Sequence, residues 1–345
     1  MRNSSFLSFF LLLFIQFPIQ AYAVNINKAV VIVSGGAAVS PFTTPTRGCE
    51  TGYPAGSTDT FMRQYLLDKG YKVFTSPAMA GYGPVMAEAG EAEGPFGLCP
   101  KALPDYMTVN SVGDIQLAGV HLANFVKYLG RRYGVKQVDF VAHSMGGLFS
   151  RSAIQYLQQT GSKIKVRSLT TLGTPWEGAP FANPTDPKDI YSGCDGQEIC
   201  KILLDVFASS APVIFAELTR PQVALLNQYN SGVLRKIPVT LIAGNAFTKP
   251  GGNPSIWPND GIVDVPSALA QNVPDTVIDN RRCYLYENGT HSVWISDKTM
   301  LPESDAITWN STVGDWVYRA IREARLSSYR PNREGCPLPN LSVGN

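Results

Sequence analysis

Short apolar runs, rich in β-branched residues, alternate along this chain with longer segments whose apolar positions recur at helical spacing. The runs are "KAVVIVSGG" (28–36), "YKVFT" (71–75), "VDFVA" (138–142), "VRSLTTLGT" (166–174), "IPVTLIAG" (237–244) and "CYLYEN" (283–288). Runs without polar alternation predict strands buried on both faces. Between them, "STDTFMRQYLLDKG" (57–70) predicts a helix capped by Ser57 or Thr58, with Phe61, Tyr65 and Leu66 on one face and Gly70 ending it. "SVGDIQLAGVHLANFVKYLGRRYG" (111–134) predicts a longer one. Its stripe is Ile115, Ala118, Leu122, Val126 and Leu129, and Ser111 and Asp114 fit a capping box. A closing helix over 312–325 places Val313, Trp316, Val317, Ala320, Ile321 and Ala324 together. Strands alternating with helices predict an α/β fold with a mostly parallel sheet covered on both faces. Residues 76–110, rich in Gly, Pro, Ala and Met, read as one long loop.

One strand-to-helix junction carries chemistry. In "VDFVAHSMGGLFSR" (138–151) a serine stands where an apolar strand meets helix-forming sequence, with small residues around it: Ala142, Gly146 and Gly147. A turn that sharp lifts the Ser144 hydroxyl above the sheet edge and tolerates only small neighbours. A serine needs a base, and the chain holds only three histidines. His143 precedes the serine, so its side chain is expected to point away from the hydroxyl. His121 lies within a helix. His291 follows the last strand through a Gly-containing loop, at the edge where Ser144 also sits. An orienting acid between them is offered by "NDGIVDVPSAL" (259–269), as Asp260 in an Asp-Gly turn or Asp264 at a helix start, with Asp275 and Asp279 further off. For an oxyanion, backbone donors are expected at Met145 and in the loop after the first strand, at Gly36 or, second, Ala37.

Composition narrows the setting. The 345 residues are 44% hydrophobic and 16% charged with net charge +2, and no basic run exceeds an Arg pair, so nucleic acid is not an expected partner. The first 23 residues, "MRNSSFLSFFLLLFIQFPIQAYA", have one charge, an apolar run and a small-residue end, the layout of a cleaved secretory signal. No later segment is long and apolar enough for a stable membrane span. Export agrees with an even set of cysteines, whose simplest pairing in chain order is Cys49–Cys99, Cys194–Cys200 and Cys283–Cys336. The expected location is secreted or extracellular, or periplasmic in a double-membrane bacterium. Residues 24–345 are read as a single domain, with 327–345 a polar tail. Asn-x-Ser/Thr sequons stand at Asn288, Asn310 and Asn340.

With "AHSMGG" (142–147), "TLGTPWEG" (171–178), "ELTRPQVALLNQYN" (217–230), "NDGIV" (259–263) and "NGTHS" (288–292), the chain resembles secreted microbial lipases of the α/β-hydrolase superfamily. The resemblance implies the α/β-hydrolase fold, with Ser144 as nucleophile, Asp260 as acid and His291 as base, in that chain order. It matches Gly36 and Met145 to the oxyanion positions and favours Asp260 over Asp264. It departs at Ala142, Ser34 and Trp176, where many members carry Gly, His and His. No acidic calcium-site residues follow His291, so neither a metal nor a cofactor is expected. Residues 177–216 are an ordinary core helix pair or a lid or acyl-pocket wall. The expected activity is hydrolysis of lipid esters, possible at a lipid–water interface, through an acyl-enzyme on Ser144. A short-chain carboxylesterase or a lipid acyltransferase would use the same residues. A non-catalytic binding protein of the same fold is disfavoured, because every catalytic role has a candidate.

Overall fold

The computed structural model describes residues 26–48, 60–85, 102–324 and 336. The expected signal segment, the caps Ser57 and Thr58, Cys49, Cys99 and most of the tail lie outside those residues.

Six strands form one sheet: β1 (Lys28–Val33), β2 (Val73–Thr75), β3 (Gln137–His143), β4 (Lys165–Leu172), β5 (Val239–Gly244) and β6 (Arg281–Tyr286). Every pairing is parallel and the order is β2-β1-β3-β4-β5-β6. The sheet is mostly parallel and helix-covered, as the sequence pattern predicts, and its architecture is that of an α/β-hydrolase. Alternate side chains of each strand enter two separate apolar layers. Val31, Val33, Phe140, Ala142 and Leu241 pack on the side of α2 (Ile115–Tyr133) and α3 (Gly146–Gln159). Val30, Ile32, Val141 and Ile242 pack against α1 (Thr60–Asp68) and α9 (Ser311–Arg322), through Met62, Leu66, Val313, Val317 and Ile321. Burying each such Val, Ile, Leu, Met or Phe side chain is worth roughly 1.5–3 kcal/mol. The predicted stripe of α2 is buried throughout, and Trp316 of α9 stacks on Tyr284 at 4.8 Å between ring centroids.

Two local expectations are corrected. Asp114 caps α2 alone, its carboxylate accepting from Leu117 N–H at 2.7 Å. The Ser111 hydroxyl donates instead to the carbonyls of Ala38 and Met79, tying the loop after β1 to the start of α2. Residues 76–110 are not wholly loop: Ala78–Met79 and Val109–Asn110 form a short parallel ladder. A third feature of this region closes the sheet edge. Thr43 and Thr75 exchange backbone hydrogen bonds in an antiparallel bridge, and Arg63 holds the Thr43 loop through Thr43 Oγ1 and Thr44 O.

The chain leaves β1 for β2 on one side and reaches β3 on the other. The strand order therefore reverses between β1 and β3, the place where open α/β sheets leave a crevice at their carboxyl edge. Register brings Val33 opposite Ala142, His143 opposite Leu172 and Gly244 opposite Tyr286. The loops after β1, β3, β4, β5 and β6 therefore emerge at one edge. Between β4 and β5 the segment 177–216 adds α4 (Glu198–Ser210) and most of α5 (Pro212–Glu217), followed by α6 (Arg220–Tyr229). Cysteine bridges join Cys194 to Cys200 and Cys283 to Cys336. No described helix is long and apolar enough to cross a membrane.

Candidate active site

Ser144 follows β3 directly and adopts a left-handed backbone with φ of 53°, strained for a non-glycine residue. The strain is held by three hydrogen bonds. Ser144 N–H donates to Leu172 O at 2.8 Å, and Ser144 O accepts from Gly147 N–H at 3.2 Å and from Thr174 Oγ1–H at 2.7 Å. The small neighbours are required by contact. A Cβ on Gly146 would fall 2.6 Å from Val33 O, and one on Gly147 would fall 2.3 Å from Thr174 Oγ1. Gly35 lies against the serine itself, where a Cβ would sit 2.5 Å from Ser144 Cβ.

His291 lies in the loop between β6 and α8 (Val293–Lys298). Its Nδ1 meets Asp260 Oδ2 at 2.7 Å, and its backbone N–H donates to Asp260 O at 2.8 Å. Asp260 is fully buried, and its other carboxylate oxygen accepts from the N–H groups of Ile262 and Val263 at 3.0 and 2.8 Å. The carboxylate is thus satisfied and aimed. Its contact with Nδ1 puts the imidazole proton on that nitrogen and leaves the Nε2 lone pair to act as a base. His291 Nε2 is buried without a hydrogen-bond partner among the described residues, and Ser144 Oγ is not bonded to it here. Asp264 has other duties. It caps α7 (Val265–Ala268) through Ser267 N–H and pairs with Arg220 Nη2 at 3.0 Å.

The expected oxyanion donors lie in the loop after β1 and at the start of α3. Met145 heads α3, and Gly36 packs on it: a Cβ there would lie 2.8 Å from the Met145 sulfur and 3.6 Å from Ile214 Cδ1 of α5. The Gly36 and Met145 N–H groups make no hydrogen bond among the described residues, whereas Ala37 N–H is taken by Ser111 O at 3.0 Å. Ala37 is therefore not an available donor.

Three contacts were not anticipated from sequence. Gly173, at φ 60°, presses its backbone on the Asp260–His291 pair: a Cβ would lie 2.8 Å from His291 Nδ1 and 2.9 Å from Asp260 Oδ2. Thr174 grips the serine turn as described. His143 Nε2–H donates to His291 O at 2.8 Å. A Gly-Thr directly after a strand was the one available signal for the first two. Trp176 is a fully buried side chain, its N–H on Thr171 Oγ1 at 3.3 Å. Among the described residues no cluster of three or more His, Cys, Asp or Glu is placed to hold a metal ion.

Residues 106–192, about a quarter of the chain, match the family model "Putative serine esterase (DUF676)", and that stretch contains the Ser144 turn. No curated protein matches. Among solved structures, a mature lipase of Bacillus licheniformis, BlEst2, aligns over 77% of this chain and 85% of its own at 17% identity and TM-score 0.47. The product of gene lin2722 of Listeria innocua aligns over 88% and 97% at 16% identity and TM-score 0.47. Naproxen esterase (carboxylesterase NP) of Bacillus subtilis aligns over 86% and 84% at 13% identity and TM-score 0.42. The family match and the α/β-hydrolase architecture support the class of carboxylic ester hydrolase.

Proposed function

We propose that the chain is a secreted, lipase-like serine ester hydrolase in which Ser144 is the nucleophile, His291 the base and Asp260 the orienting acid. The observation that carries this reading is the Asp260–His291 bond, which fixes the tautomer beside a strained serine turn. Ser144 Oγ attacks the ester carbonyl carbon while His291 Nε2 takes its proton. The oxyanion is held by the N–H groups of Gly36 and Met145, each donor worth roughly 2.7–4 kcal/mol of barrier. His291 then protonates the alkoxide, the alcohol leaves and the acyl group stays on Ser144. Water, deprotonated by His291, attacks the acyl carbon; the acyl–Oγ bond breaks, His291 returns the proton to Ser144 Oγ and the acid leaves.

Residues 24–345 are read as one domain, with 177–216 lying over the site as its cover and acyl-pocket wall. Ile214 against Gly36 supports this. Ile202, Val206 and Val213 stay 40–48% exposed on α4 and α5, which supports an apolar, lipid ester substrate. The two cysteine bridges support export to an oxidising compartment.

The test is hydrolysis of nitrophenyl esters of increasing acyl length, soluble and emulsified, by wild type, Ser144→Ala and His291→Ala. Loss of activity in both variants and a preference for long acyl chains are expected. Activity confined to short soluble esters would replace the lipase reading by a carboxylesterase, and full activity in either variant would remove the triad.

A further inference from the structure

His143 is covalently joined to Ser144, yet its side chain serves His291. It closes β3, is 7% exposed, and its Nε2 lies 2.8 Å from His291 O, a contact that spans 148 positions of sequence. A carbonyl oxygen only accepts, so Nε2 carries the proton and His143 Nδ1 holds a lone pair, which has no hydrogen-bond partner among the described residues. The two imidazole rings stand 4.5 Å apart between centroids, tilted by 51°. Burial first, and the neighbouring His291 ring second, hold His143 well below the usual histidine range, so it stays neutral.

We propose, on the reading of Ser144, Asp260 and His291 given above, that His143 is a positioning residue for the base. His291 is then fixed at three points. Its N–H is held by Asp260 O, its C=O by His143 Nε2 and its ring by Asp260 Oδ2. The first and third restrain the imidazole towards the acid. The second ties the same residue to the one that precedes the nucleophile, so the serine and histidine loops move as one body. A neutral ring is also what the site requires. When His291 takes the serine proton it becomes a cation, and a second cation one ring away would oppose that transfer.

The position of Nε2 gives the proposal a sharp test, because a glutamine amide nitrogen can occupy nearly the same place while phenylalanine fills the volume without a donor. His143→Phe is expected to lower kcat for a soluble short-chain nitrophenyl ester about 10- to 100-fold with KM changed less than about threefold, as misplacement of a catalytic group does. It is also expected to shift the acid limb of the kcat/KM–pH profile. His143→Gln is expected to restore kcat to within about threefold of wild type and return the limb to its place. Wild-type kcat and pH profile in His143→Phe would overturn the proposal, as would equal losses in Phe and Gln variants that track their melting temperatures. Should the Phe variant not fold, His143→Asn, whose amide stops short of Nε2, takes its place with the same expected loss and the same overturning result. Ser144→Ala run in parallel separates the two levels: activity surviving there refutes the triad itself, and with it the role given to His143.

Discussion

Glu217 Oε2 accepts a 2.8 Å hydrogen bond from the backbone N–H of Ile115, joining the end of α5 to the first turn of α2. Helix N-termini favour anions, but here partial burial first, and Asp114 beside it, push the Glu217 carboxyl up to about 7, against the pull of the Ile115 N–H. The folded protein thus holds a proton that the unfolded chain has released. Stability is expected to fall as pH rises from about 4.5 through about 7. Glu217→Gln keeps an acceptor for Ile115 without the charge. It should melt higher than wild type at pH 8 and lose that advantage near pH 4.5. Solvent screening keeps the difference small, on the order of 1–3 °C. Thermal melts of both proteins across that range check it; parallel curves would remove the role of Glu217.

Asp260 and Asp264 are expected to fail in different ways. Asp260→Asn preserves shape but spoils the tautomer of His291, and kcat should fall by about 10⁴, the size of effect known for such a change in another serine hydrolase. Asp264→Asn loses the ion pair with Arg220 and weakens the cap of α7. It should cost about 1–3 kcal/mol of stability while activity per folded molecule changes little. Denaturant melts beside kcat values separate the two.

Gly173→Ala adds one carbon at a point already in contact with His291 Nδ1 and Asp260 Oδ2, and at a φ of 60° that alanine resists. The expected outcome is a drop in kcat of about 100-fold or more, with stability lowered by about 1–2 kcal/mol. An alanine variant with wild-type kcat would show that the acid–base pair has room to shift.

Ser144→Gly removes the proposed nucleophile and the steric strain together. It should be inactive and yet more stable than Ser144→Ala, by about 1 kcal/mol, because glycine accepts a φ of 53° freely. Equal melting temperatures for the two variants would mean that the turn holds no strain.

What the sequence made legible was whatever repeats or crowds locally. The two-faced strands, the α2 and α9 stripes and the small residues around Ser144 follow from periodicity and close approach over a few residues. The choice between Asp260 and Asp264 was half legible. Both stand in turn-forming sequence; the Asp-Gly turn before an apolar run favours Asp260, the Asp-Gly-Ile-Val resemblance adds to it, and it is Asp260 that meets His291. The contacts of His143, Gly173 and Thr174 were hidden because their partners come from other strands' loops. Ala37 could not be set aside from sequence either, since the acceptor of its N–H, Ser111 O, belongs to the segment leading into α2. Ser111 misled for the same reason: a serine three residues before an aspartate imitates a cap when its real partners, Ala38 and Met79, lie far away in the chain.

The bridge between Thr43 and Thr75 has a meaning for how these molecules meet one another. Among the described residues β2 is the outermost strand on its side, and a bare strand edge is a template on which another chain can add itself. Here the Thr75 N–H and C=O are already engaged by Thr43, and the hydroxyls of the two threonines are bonded at 2.7 Å. With a strand of three residues so guarded, this flank offers little to strand-on-strand assembly, and crowded molecules are turned away from sheet extension there.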